Sequence, residues 1–340
     1  MTYADRAALI AEDVAALAND AAAEVASLTT SLATARADLA AAQTQNRADA
    51  IAIADLRARI AVLEGTVTPP PPPPVPTGDR LSWAPPVLTS PTTITPADGM
   101  GKIVLTAGRD YIIKLPTDRA WKNSRGLHIE GGRNVVVIGG LVDVGAGFYS
   151  GGTGPGVMAD GYVKRAAYVL NATGTVHIEG VAFTSSTGSL SEGVNFSAPF
   201  ARAQVQNVRI LVPLVGSKGA NHADALQSWN GPKWLGVDGF TATTGYQGMF
   251  LNAHDLGSSP VDEGWVLRRV ELNGTAAAKY ILWKIAPPTS LVVDRVFTSG
   301  GLGNYPNSSA WPGVVHSAQP AGKGYAATAG LGYVSPGYAA

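Results

Sequence analysis

The sequence contains no cysteine, which excludes disulfide frameworks, thiolate zinc sites and cysteine nucleophiles. It has no excess of charge either. Its 25 basic and 25 acidic residues give zero net charge at pH 7, whereas a general nucleic-acid binder needs a basic excess. No run of about 18 apolar residues occurs, so no membrane-spanning helix is expected. The opening Met1-Thr2-Tyr3-Ala4-Asp5 has neither a basic stretch nor an apolar one. No secretory signal peptide is therefore expected, and export would need another route, such as lysis.

What is present divides sharply. Residues 1–64 hold 23 alanines and no glycine, proline, tryptophan or phenylalanine. All 40 glycines, 23 prolines and 7 tryptophans come later. Such a step in composition marks a domain boundary. Between the two parts, residues 65–78 carry six consecutive prolines, Pro69 to Pro74. Proline fixes φ and lacks an N–H, so this run reads as polyproline II, a stiff linker roughly 19 Å long.

Alanine is the best helix former, and a heptad frame holds from Ala11 to Leu63 without a break. Its main seam residues are Val25, Leu28, Leu32, Leu39, Asn46, Asp49, Ile53, Leu56, Ile60 and Leu63. A sustained seam of this kind predicts an α-helical coiled coil over residues 1–64 that joins copies of the chain. Asn46 and Asp49 form a polar layer that fixes register. Ile53 and Ile60 at a, with Leu56 and Leu63 at d, favour two strands by that rule alone.

Beyond the linker the sequence repeats. Six stretches share alternating apolar positions followed by Gly, Asn or Arg and another apolar residue. They begin at Val136, Val176, Ala203, Leu235, Trp265 and Leu291, in steps of 40, 27, 32, 30 and 26 residues. A second short apolar strand precedes most of them, as in Leu127-His128-Ile129 and Met249-Phe250-Leu251. Period-two alternation places one face in and one face out. Most steps are too short for a propeller blade, and helical periodicity is absent. The expected fold of residues 126–300 is an all-β, right-handed parallel β-helix, a single-stranded solenoid. Residues 79–125 read as a lead-in and N-terminal cap, with Lys102–Leu105 and Tyr111–Leu115 as a first incomplete rung. Residues 301–340 read as a C-terminal cap or inter-chain tail.

The order of coiled coil, proline stalk and β-helix resembles the minor tail proteins of phages that infect actinobacteria. The stretch His222-Ala223-Asp224-Ala225-Leu226-Gln227 and the ending Gly330-Leu331-Gly332-Tyr333-Val334-Ser335-Pro336-Gly337-Tyr338 add to the resemblance. It implies a homotrimeric tail fibre or spike with a pectate-lyase-like β-helix turned toward host cell-wall or envelope carbohydrate. It implies attachment to other phage tail proteins through the N-terminal helix, assembly in the host cytoplasm, and final residence in the virion.

His222, Asp224 and Gln227, followed by Trp229, form the densest polar cluster. On a strand His222 and Asp224 share a face. Such a pair can support acid–base chemistry, or it can bind sugar hydroxyls while Trp229 or Trp234 stacks on the ring. A polar stack fixing one rung is the purely structural alternative. One rung later come Asn252 and His254, then Lys284. Gln227, Asn252 and Lys284 are expected in one column along a groove, with Tyr246 nearby. The expected glycan-binding set is therefore His222, Asp224, Gln227, Trp229, Trp234, Tyr246, Asn252, His254 and Lys284. His222 and Asp224 are the catalytic candidates should the protein be a polysaccharide lyase or hydrolase. Hydrolysis needs two carboxyl groups about 5–10 Å apart, and no spacing singles out a pair. The five histidines lack metal-ligand spacing and no acidic cluster suits calcium, so neither a metal nor a cofactor is expected. Arg268, Arg269 and Arg295 read as outward rung residues or as contacts to an anionic polymer.

Overall fold

The computed structural model describes residues 80–152, 156–216, 221–252, 263–284, 290–301, 304–305 and 311–337, together with Glu24. The coiled-coil seam from Val25 to Leu63, the proline run and His254 lie outside the described residues. Among those described, no helix is long and apolar enough to cross a membrane.

The described chain is all-β, with twenty-two strands numbered here in chain order. One sheet has eight parallel strands: β2 (Lys102–Leu105), β5 (Leu127–Gly131), β10 (Arg165–Leu170), β13 (Glu192–Ser197), β15 (Asp224–Asn230), β17 (Gln247–Leu251), β19 (Tyr280–Lys284) and β21 (Asn304–Tyr305). The second, with twelve, follows the path β1 (Thr92–Ile94), β3 (Tyr111–Lys114), β6 (Val135–Ile138), β11 (Thr175–Glu179), β14 (Arg202–Ile210), β16 (Trp234–Thr244), β18 (Gly264–Gly274), β20 (Leu291–Ser299) and β22 (Val314–Ser317). Three short strands, β4 (Ala120–Lys122), β7 (Leu141–Asp143) and β12 (Ala182–Thr184), extend it sideways. A small antiparallel hairpin, β8 (Phe148–Tyr149) with β9 (Tyr162–Val163), stands apart. From β2 onward the chain visits the two large sheets in turn, and each strand pairs with its counterpart one rung away. This arrangement is compatible with a parallel β-helix.

The alternation in the sequence becomes the core. Ile113, Val137, Ile178, Val205, Val237 and Leu267 stand in register on successive strands, all fully buried. Leu127, Ala167, Val194, Leu226, Met249 and Leu282 do the same on the facing sheet. Fully burying one of the larger side chains contributes about 1.5–3 kcal/mol, and identical positions stack so that no rung needs its own core.

The repeat's fifth position has a backbone reason. Gly180, Asn207, Gly239, Arg269 and Arg295 all have positive φ, at 67°, 50°, 72°, 48° and 54°. They form the bend at which each rung changes direction. Left-handed backbone is unfavourable for residues with a Cβ, by about 1–2 kcal/mol. At Arg269 an ion pair helps offset this, with Nε 2.5 Å from Asp238 Oδ1. The first repeat is shifted by one residue: Val135, not Val136, pairs with Val176. The bend of that rung is thus at Gly139, whose φ is 60°.

Both ends of this body bind its flank. Ser82 and Trp83 donate their N–H groups to Gln206 Oε1 at 2.7 and 3.0 Å, and the Ser82 hydroxyl donates to Asp238. Of the segment read as a cap or inter-chain tail, the described part first adds β22. It then runs back against the direction of stacking. Gly322 and Gly324 donate N–H to the Glu271 carboxylate at 2.7 and 2.8 Å. Thr241 Oγ1 donates to Tyr325 O at 2.7 Å. Gly330 N reaches Gly180 O at 2.9 Å, Gly332 N reaches Thr117 O at 2.7 Å, and Gly337 O accepts from Leu81 N at 2.8 Å. Tyr333 is buried against Gly180, where a Cβ would come within 2.2 Å of its ring.

Candidate functional site

The sequence-predicted residues fall into two places. His222 lies in the turn before β15, its ring stacked on Tyr246 at 5.0 Å. Asp224 opens β15 and is fully buried. Gln227 is buried on the same strand and accepts a hydrogen bond from Asn195 Nδ2 at 3.1 Å. Trp229, near the strand end, is half-buried and meets Phe250 edge-on at 6.0 Å. These residues share the eight-stranded sheet. Trp234 does not. It begins β16 on the twelve-stranded sheet, edge-to-face with Trp83 at 5.3 Å and under the Arg202 guanidinium at 4.7 Å.

Register also separates the expected column. Gln227 pairs with Phe250, and Phe250 with Trp283. Ser228 pairs with Leu251, and Leu251 with Lys284. Asn252 follows β17, where its N–H donates to Ser228 Oγ at 2.8 Å. Lys284 Nζ sits 5.3 Å over Trp311, and burial lowers its amine below the ordinary lysine value. Gln227, Asn252 and Lys284 are thus close in sequence order but not in one column. Unequal loops defeat a count along the chain.

Apart from Gln227, the column that does exist holds residues outside the expected glycan-binding set. From β5 to β19 it reads His128, Tyr168, Asn195, Gln227, Phe250 and Trp283. Its polar section is built around Glu192. This fully buried carboxylate accepts from Arg165 Nε at 2.6 Å and from Asn195 Nδ2. The Arg165 guanidinium also covers the Tyr168 ring at 4.5 Å. Its aromatic section is a run of edge-to-face rings. Phe250 meets Trp283 at 5.2 Å, and Trp283 meets Tyr280 at 5.8 Å. Trp229, Trp283 and Tyr280 are each half-buried, and Phe250 between them is buried.

Asp224 is electrostatically unusual. Burial, and secondarily the Glu192 charge, push its carboxyl well above the ordinary aspartate value. Neither of its oxygens has a hydrogen-bond partner. Other buried polar atoms without partners on this sheet or its turns are His128 Nε2, Glu192 Oε1, Asn195 Oδ1, Gln247 Nε2 and Asn252 Oδ1. Buried groups of this kind are rare in folded proteins, and several of them gather on this sheet. Burial also lowers the His128 imidazole to about 4, with help from Arg125, so it is neutral at pH 7.

Other features are already engaged by the chain itself. Arg268 lies 3.6 Å from Asp294, and Arg295 pairs with Asp294 at 2.8 Å. With the Arg269–Asp238 pair, these arginines are committed to carboxylates of their own sheet. An open groove of about 560 Å³ lies beside the short strands, lined by Asp98, Lys122, Asn123, Asp143 and Ser186 among others. Its two carboxylates accept hydrogen bonds from the Arg119 side chain and from backbone N–H groups. Among the described residues no group of His, Asp and Glu could hold a metal ion.

Comparison with known proteins gives no match. No family model fits the chain, and no curated protein or solved structure is similar to it. The reading of function rests on sequence pattern and geometry.

Proposed function

We propose that this chain is a glycan-binding adhesin of the phage tail-fibre or spike type. In this reading residues 126–300 form a right-handed parallel β-helix, and the N-terminal coiled coil holds three copies and attaches them to other tail proteins. The aromatic run Trp229–Phe250–Trp283–Tyr280 is the observation that carries the reading. The half-buried rings of Trp229, Trp283 and Tyr280, packed around the buried Phe250, suit the apolar faces of sugars, and rungs hold them with little freedom left to lose on binding. Three copies add avidity, so each face can be weak.

The test uses purified full-length protein. Its native mass is measured, and its retention on actinobacterial cell-wall polysaccharide is compared with that of Trp283→Ala. A trimer that is retained, and that loses retention on substitution, supports the reading. A monomer refutes trimerisation, and unchanged retention of the variant refutes this face.

A second reading, a polysaccharide depolymerase, draws on Glu192 and Asp224. Glu192 is paired with Arg165, while burial raises the Asp224 carboxyl well above the ordinary aspartate value, and two carboxyl groups in unlike environments are the pattern of an acid–base pair. Both are fully buried, which favours adhesion over chemistry. Shortening of the polysaccharide in the same incubation would reverse that preference.

A further inference from the structure

We infer that the aromatic face binds an uncharged glycan chain laid along the stack of strands. The inference rests on the glycan-binding reading and adds the ligand's charge class and direction. Trp229, Phe250 and Trp283 belong to β15, β17 and β19, three successive strands of one sheet. Strands are spaced about 4.8 Å apart, so the rings cover roughly 10 Å along the stack, a length of about two linked sugar rings. Phe250 and Trp283 occupy a single column in line with Gln227, and Trp229 lies two residues beyond Gln227, so the row of rings crosses the three strands obliquely. A chain running along the stack meets successive rings, whereas one running across meets only one rung.

The charge class follows from what surrounds the rings. A sulfated, phosphorylated or uronate polymer is held by fixed cations, arginine forks above all. Arg165 is already committed to Glu192 and Tyr168. Lys102 is paired with Glu130 at 2.5 Å. Lys284 is drawn over Trp311. His128 is neutral at pH 7. Lys279, just before β19, is exposed and adds one ammonium rather than a fork. Arg125, just before β5, is drawn over the Phe148 ring at 4.0 Å. Arg202, Arg268, Arg269 and Arg295 sit on the other sheet with carboxylate partners.

The experiment measures binding of the full-length protein to soluble galactan and mannan, and to polygalacturonate and polyglycerol phosphate. Each is run at about 50 and about 500 mM NaCl, a range over which exposed charge interactions are largely screened. Trp283→Ala and Trp229→Ala are compared with Trp234→Ala, which alters a ring on the other sheet. Thermal unfolding checks that each variant is folded. The inference expects a neutral polymer to bind with little salt dependence, to weaken roughly 10-fold in either face variant, and to be unaffected by Trp234→Ala. Salt-sensitive binding of the anionic polymers alone overturns the charge class while leaving the glycan reading intact. Binding of none of them overturns both. Binding of a neutral polymer that responds to Trp234→Ala and not to Trp283→Ala overturns the assigned face.

Discussion

Replacing Asp224 with asparagine should stabilise the protein at neutral pH. The wild-type carboxyl is fully buried, has no hydrogen-bond partner, and sits near the buried Glu192 carboxylate. Folding therefore raises its pKa above the unfolded value of about 3.9. The sign of the linkage follows. Below the unfolded value both states hold the proton and the contribution of Asp224 is fully present. As pH rises past it, the unfolded chain releases the proton while the folded chain keeps it, and stability falls. The slope is about 1.4 kcal/mol per pH unit, and the loss stops growing only when the folded carboxyl ionises. Asparagine keeps the shape, removes the titration, and brings N–H groups near Glu192 Oε1, which has no partner. Urea unfolding of both full-length proteins between pH 4.5 and 7.5 reads the effect. The difference between variant and wild type should grow with pH at up to that slope. Parallel stability curves would show that Asp224 is charged and compensated in the folded protein, and the account of this face would be wrong.

Two further outcomes concern the returning tail. Gly180→Ala adds a Cβ at φ 67° and within 2.2 Å of the Tyr333 ring; it should cost roughly 2–4 kcal/mol in thermal unfolding. In a Tyr333→Ala background the same change should cost only about 1 kcal/mol, and equal costs in both backgrounds would refute the contact. Glu271→Gln keeps only one good acceptor for the N–H groups of Gly322 and Gly324; it should cost about 1–3 kcal/mol and speed hydrogen exchange at those two amides. Unchanged exchange there would remove Glu271 as the anchor.

The long sheet was legible because its signal is local. Alternation fixes the faces of one strand, and the bend residue fixes its end. Val176, Ala203, Leu235, Trp265 and Leu291 consequently stand in one column, as their spacing predicts. The first repeat slipped by one because Gly139 and Gly140 both suit the bend, and only the pairing of Val135 with Val176 decides between them. The eight-stranded sheet was harder. Its strands are reached through loops of unequal length, so its columns cannot be counted along the chain. Strand β15 shows the difficulty: Asp224 and Gln227 read as a polar cluster, while Leu226 was supplying the rung. Glu192, Asn195, Phe250 and Trp283 are placed by strand partners more than twenty residues away. Trp234 read as an alternative to Trp229 for stacking on a sugar beside His222 and Asp224, yet it begins a strand of the other sheet.

The tail that runs back from Glu271 to Thr117 also makes this body a measured object. A solenoid held only by neighbouring rungs can gain or lose one without disturbing the others. Here every added rung would lengthen the stack by about 4.8 Å and pull Gly330 and Gly332 out of reach of Gly180 and Thr117. About two more residues of extended tail would be needed to restore the match. The tail is in this sense a ruler, and the number of rungs and the length of the C-terminus can change only together.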